Sequence, residues 1–212
     1  LSNFGIPTAV TTLMAKTSNE HRKEVIFVNS FLLLMLISIF LIIVIAALNF
    51  FSSKLVRVLG NIKNEYINIG NMIIMIMLIG FLVRSPFQLA MSAFSSYQKI
   101  YILKIYEIFM SIANIVVLLT AQCLQLRIIS YVFFNVLLTN MLYVVALFHA
   151  RRKLFYNNYK TTNHISIKVM SGIFKHSLSF FFIGIASTIV WSTDNIIIGN
   201  MLTMEEVTKY SV

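Results

Sequence analysis

A polytopic α-helical membrane bundle is the fold class this sequence predicts, and three observations predict it. Of the 212 residues, 58% are hydrophobic and only 11% charged, and the mean hydropathy is +0.85. That leaves too little polar surface to coat a water-soluble globule. Uncharged runs long enough to cross roughly 30 Å of hydrocarbon at about 1.5 Å per residue recur along the chain. Lys and Arg fall almost wholly between those runs. No Gly/Ser linker or low-complexity tract divides them, so residues 1–212 read as a single all-α transmembrane domain.

The first run, Leu1 to Ala15, is uncharged but too short to span and is expected to be the tail of a truncated helix. With no charged start and no small-residue cleavage site, it does not read as a signal peptide. Lys16 to Glu24 supplies a polar loop, and residues 25–51 form an uncharged run sufficient for one tilted span. A polar connection from Ser52 to Asn71 follows. Residues 72–95 read as one span carrying the cation Arg84 and kinked at Pro86. The alternative is a re-entrant segment, or a span that stops near Arg84. Residues 107–126 and 128–149 are expected to form a helical hairpin about Arg127. A basic loop from Ala150 to Lys175 then leads into the last span, 172–200.

Orientation follows from the loop charges. Lys16, Arg22, Lys23, Lys99, Lys104, Arg151, Arg152, Lys153, Lys160, Lys168 and Lys175 fall on one side, against Lys54, Arg57, Lys63, Arg127 and Lys209 on the other. The first set is expected to be cytoplasmic. The net charge of +10 therefore reports orientation and contact with anionic headgroups, not nucleic acid.

No phosphate loop, paired-His zinc helix or nucleophile elbow is present, so neither an enzyme nor a cofactor is expected. His21, His149, His164 and His176 sit in loops or at span ends. The single Cys123 excludes an internal disulfide and a cysteine-based metal cage. Polar residues within the spans are more informative, because lipid offers them no hydrogen bonds. Arg84, Gln88, Ser92 and Ser95 recur at helical spacing, as do Glu107, Ser111, Asn114, Gln122 and Gln125. Two readings of these stripes stand: cavity lining, or ordinary gluing of helix to helix. Arg84, Gln88, Ser92, Asn114 and Gln122 are the candidate substrate-binding residues. Asp194, the only Asp, follows the uncharged run Ser177 to Thr193. It is either a gating or ion-coupling carboxylate or a residue at the outer water interface.

The segment around Asp194 carries a family resemblance. Ser192-Thr193-Asp194-Asn195-Ile196-Ile197-Ile198-Gly199, then Val207 and Tyr210-Ser211-Val212, resembles the seventh-helix signature of bacterial oligosaccharide flippases of the multidrug/oligosaccharidyl-lipid/polysaccharide exporter superfamily. Thr203 and Thr208 stand where that signature commonly has Gly. Phe4-Gly5-Ile6-Pro7-Thr8-Ala9 is similar to the opening of the family's second helix. The resemblance implies one half of a two-bundle transporter with its first helix missing, in the bacterial cytoplasmic membrane. It implies a cargo, an undecaprenyl-diphosphate-linked oligosaccharide flipped during surface polysaccharide biosynthesis, with membrane lipids and other polysaccharide-assembly membrane proteins as partners. A drug/cation antiporter of the same superfamily, or a membrane polymerase or ligase acting on lipid-linked sugars, are the alternatives.

Overall fold

The computed structural model describes residues 2–51, 64–155 and 165–201, with side chains described at 4–47, 69–155, 165–190 and 193. The elements run α1 (Ile6–Ala15), α2 (Glu20–Phe51), α3 (Asn64–Phe87), α4 (Leu89–Ser96), α5 (Ile100–Cys123), α6 (Ile128–Leu154) and α7 (Ile167–Met201), with one 3₁₀ turn at Ser2–Gly5. No strand occurs among the described residues. Five segments are long and apolar enough to cross a membrane: Glu20–Ala47, Ile69–Ser96, Ile100–Cys123, Ile128–Leu154 and Ile167–Val190. The chain is a multi-pass helical membrane bundle.

The five candidate spans follow the order of the five long uncharged runs, but several helices run past the ends expected from sequence. α5 begins at Ile100 rather than 107, because Lys104 and Glu107 pair at 2.7 Å across one exposed turn and so do not stop the helix. Arg151, Arg152 and Lys153 ride on the last turn of α6, and Lys168 and Lys175 on the start of α7. The expected 150–175 loop is correspondingly shorter, as is the Lys16–Glu24 loop, since α2 already starts at Glu20. Nor is the 1–15 run a single helix. Gly5 adopts φ 68° and caps α1, which starts at Ile6 with Pro7 in its first turn, where a missing N–H costs nothing.

The 72–95 span is continuous in course but broken in its ladder. α3 carries Arg84 and Pro86 in its last turn and gives way to α4 at Gln88, whose carbonyl takes the Met91 N–H at 3.0 Å in a tighter turn. The break falls just past the proline. Beyond Ser96 the chain reverses: Lys99 N–H bonds Phe94 O at 2.9 Å and Gln98 N–H bonds Ser95 O at 3.0 Å, with Gln98 at φ 56°. The expected hairpin about Arg127 is closed in the same way. There Leu126 N–H bonds Ala121 O at 2.9 Å and Gln125, at φ 48°, bonds Gln122 O at 3.2 Å. Both are Schellman closures with Gln in the left-handed position usually given to Gly.

The packed core lies at one end of the bundle. Ile6, Val10 and Met14 of α1 meet Leu89, Ala93 and Phe94 of α4, and Phe27, Ala146, Ala150 and Ile173 complete the cluster. α1 packs chiefly on α4 and α7, and α3 chiefly on α6. Two glycines set the closest approaches. A Cβ on Gly5 would lie 2.5 Å from Ser177 O and 2.7 Å from Phe181 N of α7. A Cβ on Gly80 of α3 would lie 2.1 Å from Val136 Cγ1 of α6. Backbones this close let small residues replace side-chain interdigitation, as membrane helix pairs require.

The end holding the core also gathers the basic residues. The Lys23 ammonium sits 4.4 Å from the Tyr97 ring centroid, and the Lys153 ammonium 6.0 Å from that of Tyr101. The Tyr97 hydroxyl donates to the Glu20 carboxylate. Burial, and then that carboxylate, push the Tyr97 phenol above its ordinary pKa, so it remains a neutral donor. From α2, Asn29 accepts the Ser166 N–H at 2.8 Å and so anchors the start of α7.

Candidate functional site

A polar cleft lies between α1 and α4. It has a volume of about 360 Å³ and is walled by Thr8, Thr11 and Thr12 on α1 and by Gln88, Ser92 and Ser95 on α4, with Leu103 of α5 at its edge. Its geometry follows from local sequence. The break at Gln88 starts a short helix rich in Ala and Ser, Leu89-Ala90-Met91-Ser92-Ala93-Phe94-Ser95-Ser96, which allows α1 to seat closely against it. Thr11 Oγ1 lies 3.0 Å from Pro7 O and 3.5 Å from Ser92 O, and Thr12 Oγ1 bonds Thr8 O at 2.9 Å. These hydroxyls satisfy their donors along their own helix and keep lone pairs free for a ligand. Among the described residues, no Asp or Glu lines the cleft.

Arg84, one turn before Gln88 on the expected stripe, does not line this cleft. Its guanidinium carbon stands 5.6 Å from the Tyr143 ring centroid of α6 and 5.7 Å from that of Phe81. Contacts of that kind contribute about 0.5–2 kcal/mol. Its Nε is shielded from solvent and has no hydrogen-bond partner among the described residues. A donor in that state costs about 1–3 kcal/mol. The neighbouring Ser85 is buried and shares a 2.8 Å hydrogen bond with Ser38 of α2, so that part of the helix is glued to its neighbour.

The second stripe is placed elsewhere. Asn114 is exposed and its Oδ1 accepts from Asn135 Nδ2 of α6 at 3.2 Å, a helix-to-helix contact. Gln122 is exposed near the hairpin end of α5, and neither residue borders the α1/α4 cleft. The structure therefore brings Gln88, Ser92 and Ser95 together, sets Arg84 against α6, and leaves Asn114 and Gln122 apart. Asp194 belongs to the helical course of α7, but its side chain lies outside the described residues, as does the segment 202–212. Among the described residues, no three His, Cys, Asp or Glu side chains come together to hold a metal.

Sequence reasoning passed over the three threonines of α1. Their signal was present as Thr8, Thr11 and Thr12 at spacings of three and four, in a run read as the tail of a truncated helix and, over residues 4–9, as similar to a family helix opening. It also passed over Tyr143, whose meeting with Arg84 depends on how α3 packs on α6 and has no local signature.

Comparison of the chain with known protein families, with curated proteins and with solved structures finds no match.

Proposed function

We propose that this bundle translocates a lipid-linked oligosaccharide across the bacterial cytoplasmic membrane, with its basic end inside. The observation that carries the proposal is the α1/α4 cleft, a set of hydroxyl and amide groups within an otherwise apolar layer. Such groups suit sugar hydroxyls, which both donate and accept. Arg84 lies one turn before Gln88 in the sequence, its Nε–H has no partner among the described residues, and it suits a diphosphate because its planar fork takes two oxygens at once. The walls of the cleft offer hydroxyl and amide groups and no charged side chain among the described residues, which suits the neutral, hydroxyl-rich part of such a cargo. The motif-like stretch around Asp194 supports the same reading from sequence and gives Asp194 the gating or coupling role.

Vesicles reconstituted with the full-length protein and a fluorescent undecaprenyl-diphosphate oligosaccharide test the proposal. Cargo should reach the opposite leaflet faster than in protein-free vesicles, and Gln88→Ala combined with Ser92→Ala should slow it without lowering protein abundance. Rates equal to those of empty vesicles under every imposed proton or sodium gradient would refute the flippase reading. Asp194→Asn transporting normally across a pH series would remove the coupling role alone.

A further inference from the structure

A second groove, of about 320 Å³, opens at the basic end between α1, α2 and α7. Its floor is apolar, formed by Leu13, Val25, Ile26, Val169 and Ile173. Its polar groups are Arg22 of α2 and Lys168 and His176 of α7. The acids of α2 are on the other side of that helix: Glu20 binds Lys23 at 2.7 Å and accepts from Tyr97, and the position of Glu24 follows Glu20 by one turn. Neither Arg22 nor Lys168 forms an ion pair among the described residues. Gly172 also lines the groove, and a Cβ placed on it would meet nothing within 4 Å. The space beside it is open, unlike the crowded surroundings of Gly5 and Gly80.

Two cations without an ion-pair partner among the described residues, set at the rim of an apolar floor where α1 ends and α2 and α7 begin, match one chemistry. We propose that this groove holds a single anionic membrane phospholipid, its phosphate between Arg22 and Lys168 and one acyl chain along Val25, Ile26, Val169 and Ile173. Basic pockets between membrane helices at the positively charged face recognise headgroups in this way. The groove is at the lower end of the roughly 300–1,000 Å³ range of small-ligand pockets. It therefore takes the headgroup and first methylenes and leaves the chain ends in the bilayer. The bound lipid bridges α1, α2 and α7, and so ties the start of α7 to the packed core. None of this depends on the cargo proposed for the α1/α4 cleft.

Native mass spectrometry of the full chain released from detergent, titrated with phosphatidylglycerol or phosphatidylcholine, tests the site. One phosphatidylglycerol should be retained in preference to phosphatidylcholine, and Arg22→Gln combined with Lys168→Gln should weaken retention roughly ten- to thirty-fold. Gly172→Phe, which fills the groove and keeps both charges, should abolish it, with Gly172→Leu as the substitute if the Phe variant is not monodisperse. Arg152→Gln removes an exposed charge from the same end outside the groove and should change nothing. Equal retention of both lipids, an equal loss in Arg152→Gln, or unchanged selectivity in the filled-groove variant would each overturn the proposal. So would displacement of the lipid by an equal concentration of inorganic phosphate, which would mark a site for free anions.

Discussion

α4 and α5 follow each other in the chain and are both apolar, yet they occupy opposite environments. Six residues of α4, Leu89, Ala90, Ser92, Ala93, Phe94 and Ser96, are buried within its eight positions. Along the 24 residues of α5 only Ile102 and Ala121 are buried, and its main partners are α6 and α4. Hydropathy does not separate the two, because lipid is as apolar as leucine and burial against protein gains no hydrophobic energy there. Residue size does. α4 alternates Ala and Ser with single large anchors, which lets α1 approach, whereas α5 presents Ile108, Phe109, Ile112, Ile115 and Leu119 outward. Small residues mark the seam that holds the bundle together, and bulky aliphatics mark the face left for lipid.

The contrast yields graded expectations. The largest effect should come from Gly5→Ala at the α1/α7 seam. The new Cβ meets backbone atoms that cannot rotate away, and the positive φ adds about 1–2 kcal/mol for any residue with a side chain. A loss of about 3 kcal/mol or more is expected, read as a fall in the detergent-solubilised melting temperature and in membrane abundance. A variant as stable as the parent would show that α1 does not need this close approach. Gly80→Ala should cost less, about 1–3 kcal/mol, because its obstacle is the Val136 side chain. Pairing it with Val136→Ala should restore most of the loss, and failure of that rescue would place the strain elsewhere. The smallest effect belongs to Ile112→Ala on the open face of α5, where a change within about 0.5 kcal/mol is expected. A large drop would mean that another protein surface covers α5.

The same physics explains what was legible beforehand. The spans and their order were readable because a bilayer demands long uncharged runs, and the kinked passage through Arg84 followed from Pro86. Helix ends were less readable, since Lys104 and Glu107 neutralise each other within the helix and long cationic side chains can snorkel. The polar stripe on α4 was visible from spacing, but its companion threonines lay in a run too short to attract a span, and the turn of Arg84 towards Tyr143 arises only from packing. Gly5 stood in plain view in Phe4-Gly5-Ile6-Pro7, yet its role depends on α7, far along the chain.

We propose that the α1/α4 seam carries the cargo path and that Arg84, one turn before Gln88 and held against Tyr143 of α6, is the anion partner. Translocation of the diphosphate-linked oligosaccharide by Arg84→Lys and Arg84→Ala, measured in vesicles at matched protein content, tests it most directly. Transport should be impaired in Arg84→Lys, because an ammonium cannot present the planar fork, and more so in Arg84→Ala, with the amount of inserted protein unchanged in both. Arg84→Ala that inserts less but transports at the parental rate per molecule would reduce Arg84 to a structural contact with Tyr143 and contradict the claim.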